Sequence, residues 1–272
     1  MLKNVLLTAS AALAVVALAG CASASPAADR AGAATDSGLT LAEVRDAGEL
    51  VVATEGTYRP FSYHEGGSGA LTGYDVDIIT AVAGRLGVDV TFEETQWDAI
   101  FAGLDAGRFD VIANQVSLNP ERQRDYDFSV PYTISPGVLI VAEGTDDITS
   151  FDDLEGRTSA QSLTSNWYTI AEDAGATVES VEGWAQAAEL LRQGRVDATV
   201  NDELTFLDYE KTQGDTGLKV VAQTDEVSKN AFAFRKGSTD LVAAVDEALD
   251  SLRADGTIAE ISKKYFGEDV SR

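Results

Sequence analysis

The strongest constraint on what this chain folds into is an internal match. Residues 104–114 read LDAGRFDVIAN and residues 191–201 read LRQGRVDATVN, an offset of 87 positions at which Trp97 is also matched by Trp184. Leu, Gly, Arg, Asp and Asn coincide across the longer segment. Each copy predicts a helix stopped by glycine, then a buried strand ending in asparagine. Gly107 and Gly194 suit the left-handed position after a helix, and the arginine beside each favours the negative helix end. Upstream of each tryptophan runs another strand-like segment, VDVTFEE at 88–94 and ATVESVE at 176–182. Chance alone can place a Gly-Arg-x-Asp turn twice in an α/β chain, but it accounts less well for the tryptophan at the same offset. The pattern predicts two similar βαβ lobes. Ligands of open α/β sheets bind beyond the carboxyl ends of the strands. Asn114-Gln115 and Asn201-Asp202, which follow the matched strands, are therefore expected to face a common cleft.

The first 20 residues read as a signal sequence. Lys3 gives a positive start, and residues 5–19 form an apolar run too short for a comfortable membrane span. The run ends in Leu18-Ala19-Gly20-Cys21, which resembles a bacterial lipoprotein signal whose cysteine thiol receives a diacylglycerol group. The alternative is an ordinary secretory signal with an incidental cysteine. Cys21 is the only cysteine, so an intramolecular disulfide is excluded. Residues 22–38, rich in Ala, Ser, Gly and Pro, read as a flexible tether. The formal net charge of −25 argues against nucleic acid as a partner and against direct adsorption to anionic lipid. His64 is the sole histidine, so no transition-metal site, histidine-based triad or cofactor is expected.

A strand at 50–54 leads into a loop holding Tyr58, Pro60 and Phe61. Asp75 is placed to cap a helix at 76–86, followed by a helix at 97–104 and a strand at 109–113. Asn119 caps, and Pro120 opens, a helix carrying Glu121 and Arg122. Residues 137–141 cross into a second lobe with a strand at 158–161, a helix after Thr164, the repeat unit and a helix at 203–210. Residues 231–234 cross back, and helices at 239–253 and 257–266 divide at Asp255-Gly256. Lobe 1 is thus discontinuous, 39–134 and 230–272, and surrounds lobe 2 at 135–229, with the two crossings as a hinge.

Arg122 sits in the first turn of its helix, where the dipole disfavours a cation. Its planar fork suits a carboxylate held in two bonds, with nearby backbone N–H groups as further donors. An exposed pair with Asp125 or Glu121 is the plainer reading. Asp202 follows a strand that should end at the cleft, and equally suits a helix N-cap. Together, a cation on one lobe and an anion on the other are the pair that a zwitterionic amino acid needs. Tyr58, Phe61, Trp97 and Trp184 are candidate aromatic platforms, with Trp184 favoured as core. Ser162 and Thr164-Ser165 precede a helix and are first of all capping residues.

These residues, with TEGTYRPFSY, LTGYDVDIITAVAGRLG, WDAIFAGLDAGRFDVIAN, NPERQRDYDFSVPYT and LRADGTIAEISKKYF in that order, resemble the polar amino-acid solute-binding proteins of bacterial ABC importers. The resemblance runs from about residue 50 to 266. It implies an α/β chain of the two-lobed periplasmic-binding-protein type II fold, two open α/β lobes on a two-strand hinge, closing around one amino acid. Carried over residue by residue, it implies that Arg122 takes the ligand α-carboxylate, helped by the backbone of Ser117 and of Thr164-Ser165. Asp202 and the carbonyl of Gln115 hold the α-ammonium, Tyr58 and Trp97 cover the aliphatic part, and Glu55 faces the side chain. Asn114-Gln115 and SLTSNW at 162–167 depart from the usual serine and Gly-Thr-Thr patterns, and with ANQVSLNPER resemble the cystine/cysteine-binding branch.

The expected function is therefore a lipid-anchored, monomeric, extracytoplasmic protein delivering cystine or cysteine to permease subunits. Another polar amino acid is one alternative. A dehydratase of the cyclohexadienyl type, which shares this fold, is another, although no residue here is an evident general acid. A sensory module would carry a membrane span and a signalling domain.

Overall fold

The computed structural model describes residues 38–272; the expected signal, the expected lipidation site Cys21 and nearly all of the expected tether lie outside the described residues. Thr40 caps α1 (Leu41–Ala47) in a capping box with Glu43, and β1 (Glu49–Thr54) follows. A small antiparallel sheet of β2 (Thr57–Tyr58), β3 (Ser62–His64) and β4 (Leu71–Thr72) leads to α2 (Tyr74–Leu86). Next come β5 (Asp89–Glu94), α3 (Trp97–Asp105), β6 (Val111–Ser117), α4 (Pro120–Asp125) and β7 (Tyr126–Phe128). The long β8 (Thr133–Ala142) leaves this half. Beyond it lie β9 (Thr158–Gln161), α5 (Asn166–Asp173), β10 (Thr177–Ser180), α6 (Trp184–Arg192), β11 (Ala198–Asp202) and α7 (Glu203–Gln213). The 18-residue β12 (Leu218–Arg235) returns, and α8 (Thr239–Ala254) and α9 (Thr257–Phe266) complete the chain.

One sheet runs through both lobes in the order β10-β9-β11-β8-β12-β6-β1-β5. The outer strands are parallel, as βαβ crossovers require: β1 pairs with β5 and β6, and β9 with β10 and β11. The two long strands in the middle are antiparallel, and they carry the chain between lobes. Residues 133–136 of β8 pair with 227–230 of β12, forming a two-stranded ribbon; beyond it β8 continues against β11 and β12 against β6.

Strand period puts successive side chains on opposite faces, and helices cover both. Val138 and Ile140 pack with Trp184, Ala187 and Leu191 of α6. Their neighbours Leu139 and Val141 pack with Trp167 and Ala171 of α5. In lobe 1, Leu50 and Val52 meet Ile78, Ile79 and Val82 of α2 and Val245 and Leu249 of α8, while Ala53 faces Ile100 and Leu104 of α3. Gly107 and Gly194 adopt φ of +66° and +65°, the left-handed turns the repeat predicts.

Two local expectations are corrected. Asp75 is not the cap of its helix: Gly73 is, and Asp75 lies fully buried in the first turn, where it accepts hydrogen bonds from Gln115, 40 residues away. The strand expected at 109–113 runs instead from Val111 to Ser117, because β12 continues the ladder past Asn114.

Gly73 fixes how the Tyr58–Phe61 loop meets α2. Its φ is +139°, and a Cβ there would lie 2.1 Å from the backbone oxygen of Phe61. Backbone cannot move aside as a side chain does. Gly73→Ala should therefore lose about 2–4 kcal/mol of stability in denaturant unfolding; a loss below about 0.5 kcal/mol would show that the loop yields freely.

Candidate functional site

The strand ends of the two lobes converge on one cavity, partly open to solvent. A concave site lined from both lobes suits a small-molecule ligand. Lobe 1 supplies Glu55, Tyr58, Trp97, Asn114 and Gln115; lobe 2 supplies Gln161, Ser165, Asn166, Trp167, Trp184, Thr199 and Asn201. The repeat partners Trp97 and Trp184, and Asn114 and Asn201, thus line the same cavity from different lobes, and Trp184 serves both core and cavity.

On the lobe 1 wall, Asn114 ties two segments together. Its Oδ1 accepts from the N–H of Glu55 at 2.9 Å and from the hydroxyl of Thr54 at 3.0 Å, while its Nδ2 donates to a Glu55 carboxylate oxygen at 2.6 Å. Burial pushes the Glu55 carboxyl up to about 7, against the bond from Asn114, and the charge of Asp98 adds to the rise. Gln115 is the one non-glycine residue with positive φ among the described residues, at +50°. Trp97 is buried, and its indole N–H has no acceptor among the described residues.

Several side chains bind the lobes to each other. The hydroxyl of Tyr58 donates to Asn201 Oδ1 at 3.0 Å and accepts from Thr205 at 3.2 Å. Ser117 donates to Asn166 Oδ1 at 3.3 Å. Thr164 is gripped on both sides: its N–H and hydroxyl donate to Asp98 at 3.1 and 2.7 Å, and its carbonyl accepts from Arg122 Nη2 at 2.9 Å. Ser165 caps α5, its Oγ accepting from Tyr168 N–H.

Arg122 and Asp202 flank the cavity and are not among its lining residues. Asn119 caps α4 through the Arg122 N–H and so holds the arginine in the first turn. Only 8% exposed, the guanidinium donates to the carbonyls of Ser117 at 3.1 Å and Thr164, with its carbon 5.3 Å from the rings of both Trp97 and Phe101. Burial pulls its pKa down to about 10, opposed by the charge of Glu121. It does not take the exposed pair with Asp125, which bonds Arg124. Asp202 is the N-cap of α7: one oxygen accepts from Leu204 N–H and the other from the hydroxyl of Ser135 on the interlobe ribbon. Burial pushes its carboxyl up to about 6, and its charge raises the pKa of Tyr58 on the cavity wall.

Gln161 and Trp167 were not singled out from sequence. Gln161 is found by the rule that picked Asn114, since it ends a parallel strand. Trp167 carried no local signal beyond a helix start.

The sequence profile of the bacterial extracellular solute-binding proteins, family 3, matches residues 50–268, across both lobes. The L-cystine-binding protein TcyA of Bacillus subtilis (strain 168) is 52% identical over 231 residues, spanning 85% of this chain and 86% of TcyA. Among solved structures, the L-cystine solute receptor of Neisseria gonorrhoeae in its unliganded open conformation is 47% identical, covering 85% of this chain and 99% of that one, with a TM-score of 0.58. An ancestral arginine-binding protein bound to arginine is 35% identical, covering 81% and 99%, with a TM-score of 0.76. Two α/β lobes on a ribbon, a cleft at their strand ends and a profile that spans both place this chain in one family: it belongs to the bacterial extracellular solute-binding proteins, family 3.

Proposed function

We propose that this protein is the extracytoplasmic binding component of an amino-acid ABC importer, taking cystine or cysteine between its lobes and presenting it to permease subunits as a monomer. The observation that carries this reading is the cleft, where strand ends of both lobes surround a space lined by the half-buried carboxylate of Glu55 and flanked by the buried cation of Arg122 and the buried carboxylate of Asp202. A zwitterion brings the charges that such walls need. The choice of ligand rests on TcyA and the gonococcal receptor, both named for cystine. Lobe 1 is assigned to 39–134 and 230–272, and lobe 2 to 135–229.

In this reading Arg122 meets the ligand α-carboxylate, helped by the backbone of Ser117 and of Thr164-Ser165. The Thr164 N–H now donates to Asp98 and the Ser165 N–H to the carbonyl of Ser162, bonds that a ligand carboxylate would have to displace. The bonds of Arg122 to two carbonyls leave its charge for an anion to neutralise. The carbonyl of Gln115 accepts from the α-ammonium. Asp202, already bonded to Ser135 and Leu204, acts on the ammonium through its charge, as it does on Tyr58. Tyr58 and Trp97 cover the aliphatic part, and Glu55, held by Asn114, faces the distal end. The cleft binds rather than catalyses. A lobe arrangement more closed than that of the open receptor accounts for the better fit to the arginine-bound protein than to the more identical open one, since a rigid rotation of lobes produces such an inversion.

Arg122→Ala should leave the fold intact and lower cystine affinity more than about a hundredfold, since an uncompensated buried carboxylate costs about 3–5 kcal/mol. Titration calorimetry on wild type and variant is the test. Wild-type affinity in the variant would remove Arg122 from the site, and no cystine binding by wild type would remove the ligand.

Burial holds the carboxyls of Glu55 and Asp75 at about 7 and that of Asp202 at about 6, all above the ordinary carboxylate value. Between pH ~4 and ~7 the folded protein then binds more protons than the unfolded chain, so unliganded stability rises as pH falls through that window. Affinity moves the other way, because protonation removes the charges that face the ammonium. Thermal melts without ligand should show a higher Tm at about pH 5.5 than at about 7.5, while calorimetry shows weaker cystine binding at the lower pH. A ligand affinity that rises on acidification contradicts the charge assignment.

The anchor is assigned to a diacylglycerol group on Cys21. Cys21→Ser should move the protein from the membrane fraction to the soluble one with cystine binding unchanged. Membrane association that survives the substitution points to a different attachment.

A further inference from the structure

The cleft holds one backbone conformation that its own residue type disfavours. Gln115 sits at φ +50° inside β6, whereas every other positive φ among the described residues belongs to glycine. A left-handed residue with a long side chain is an outlier that persists only where its surroundings over-determine it. Here the surroundings do. The N–H of Gln115 donates to one oxygen of Asp75 at 2.7 Å, and its side-chain amide donates to the other at 2.6 Å. The same amide nitrogen donates to Thr133 Oγ1 at 3.1 Å, and Asn230 Nδ2 donates to the side-chain oxygen at 2.8 Å. Asp75 is fully buried behind the strand, projects from the first turn of α2 and is outside the cavity lining. Thr133 and Asn230 are paired with each other in the interlobe ribbon. The ladder between β6 and β12 shifts register just beside this residue, between Ala231 and Ala233. A left-handed residue within a strand turns its peptide plane out of the ladder, and Gln115 lines the cavity.

We infer that Asp75 is a positioning residue: it clamps Gln115 in the left-handed conformation and so aims the Gln115 backbone carbonyl at the ammonium of a ligand in the cleft. This rests on the binding role proposed above, but the clamp itself has a readout that needs no ligand. Both oxygens of Asp75 accept, one from the backbone and one from the side chain of the same residue. An asparagine in its place offers one acceptor to two donors. Asp75→Asn should therefore release the conformation while keeping shape and volume. Gln115→Gly relieves it differently, because glycine adopts positive φ without a side-chain penalty and leaves one donor for one acceptor.

The test has two arms. In crystal structures, Gln115 should leave positive φ in Asp75→Asn; retention of the left-handed conformation overturns the proposal whatever the ligand. In solution, calorimetry compares cystine with 3,3′-dithiodipropionate, which keeps the disulfide and carboxylates and lacks both amino groups. Asp75→Asn should cut the preference for cystine by about tenfold or more, the size of one lost hydrogen bond to a charged group, and the added Gln115→Gly should restore most of it. An unchanged preference together with a lowered Tm makes Asp75 a purely structural residue and overturns the proposal. If Asp75→Asn does not fold, Gln115→Gly and Gln115→Val replace it, since both lack the amide and only valine resists positive φ. Glycine should keep the preference and valine lose it; equal behaviour of the two overturns the proposal. A wild-type protein that binds neither compound sinks the ligand assignment alone, and the crystallographic arm still decides the clamp.

Discussion

Everything in this molecule is arranged about the antiparallel pairing of residues 133–136 with 227–230. Each lobe has helices on both faces of its strands and cores of its own. The ribbon joins them by backbone hydrogen bonds within one continuous sheet, which sets the direction in which the parallel strands of both lobes end. β1 and β6 from one side, β9 and β11 from the other, terminate at the same space. A close approach next to the ribbon helps to shape it. Gly137 has no side chain because the Trp167 ring occupies that place, 2.4 Å from where a Cβ would be.

The ribbon is also where the buried polar groups meet. Thr133 and Asn230 hold the amide of Gln115, Ser135 holds Asp202, and Ser228 bonds both Ser117 and Asn230. Polar groups removed from water need partners, and partners on the hinge strands carry a consequence. Rotation about the ribbon cannot leave the cleft walls unchanged, since the residues that orient Gln115, Ser117 and Asp202 belong to the moving element. Site geometry and lobe position are therefore coupled through direct bonds.

Much of this was legible in sequence, and the reasons divide cleanly. The 87-residue offset brought Asn114 and Asn201 to one cleft, because a repeated βαβ unit repeats its strand end. The Asn119-Pro120 start and the 257–266 helix were also readable, since caps and prolines act within a turn. Asp75 was misread for the same reason in reverse. It stands where a cap stands, yet its partner is a backbone N–H on another strand, which no local pattern records. The left-handed Gln115 was equally invisible, as glutamine gives no sign of positive φ. Arg122 and Asp202 are legible as a cation and an anion near strand ends, but their place beside the lining rather than in it is set by the tertiary packing of both lobes.

Side chains as well as the ribbon link the two lobes. The direct links across the cleft include an Arg59–Asp208 pair at 3.2 Å with the arginine 43% exposed, the exposed bonds of Thr164 to Asp98, the bond from Arg122 to the Thr164 carbonyl, and the part-buried bonds of Tyr58 and Ser117 to side chains of lobe 2. An exposed ion pair such as Arg59–Asp208 contributes about 0–1 kcal/mol, while the carboxylates of Glu55 and Asp202 are each desolvated beside the cleft. Their raised pKa values record the cost of that enclosure. A cation entering between the lobes reverses it, and an anion does the same for Arg122. A ligand carrying both charges interacts more favourably with the closed arrangement than with the open one, which is the only means by which a ligand shifts such an equilibrium. The same physical feature, desolvated charge without an ion-pair partner among the described residues, thus opposes closure in the empty protein and favours it in the filled one.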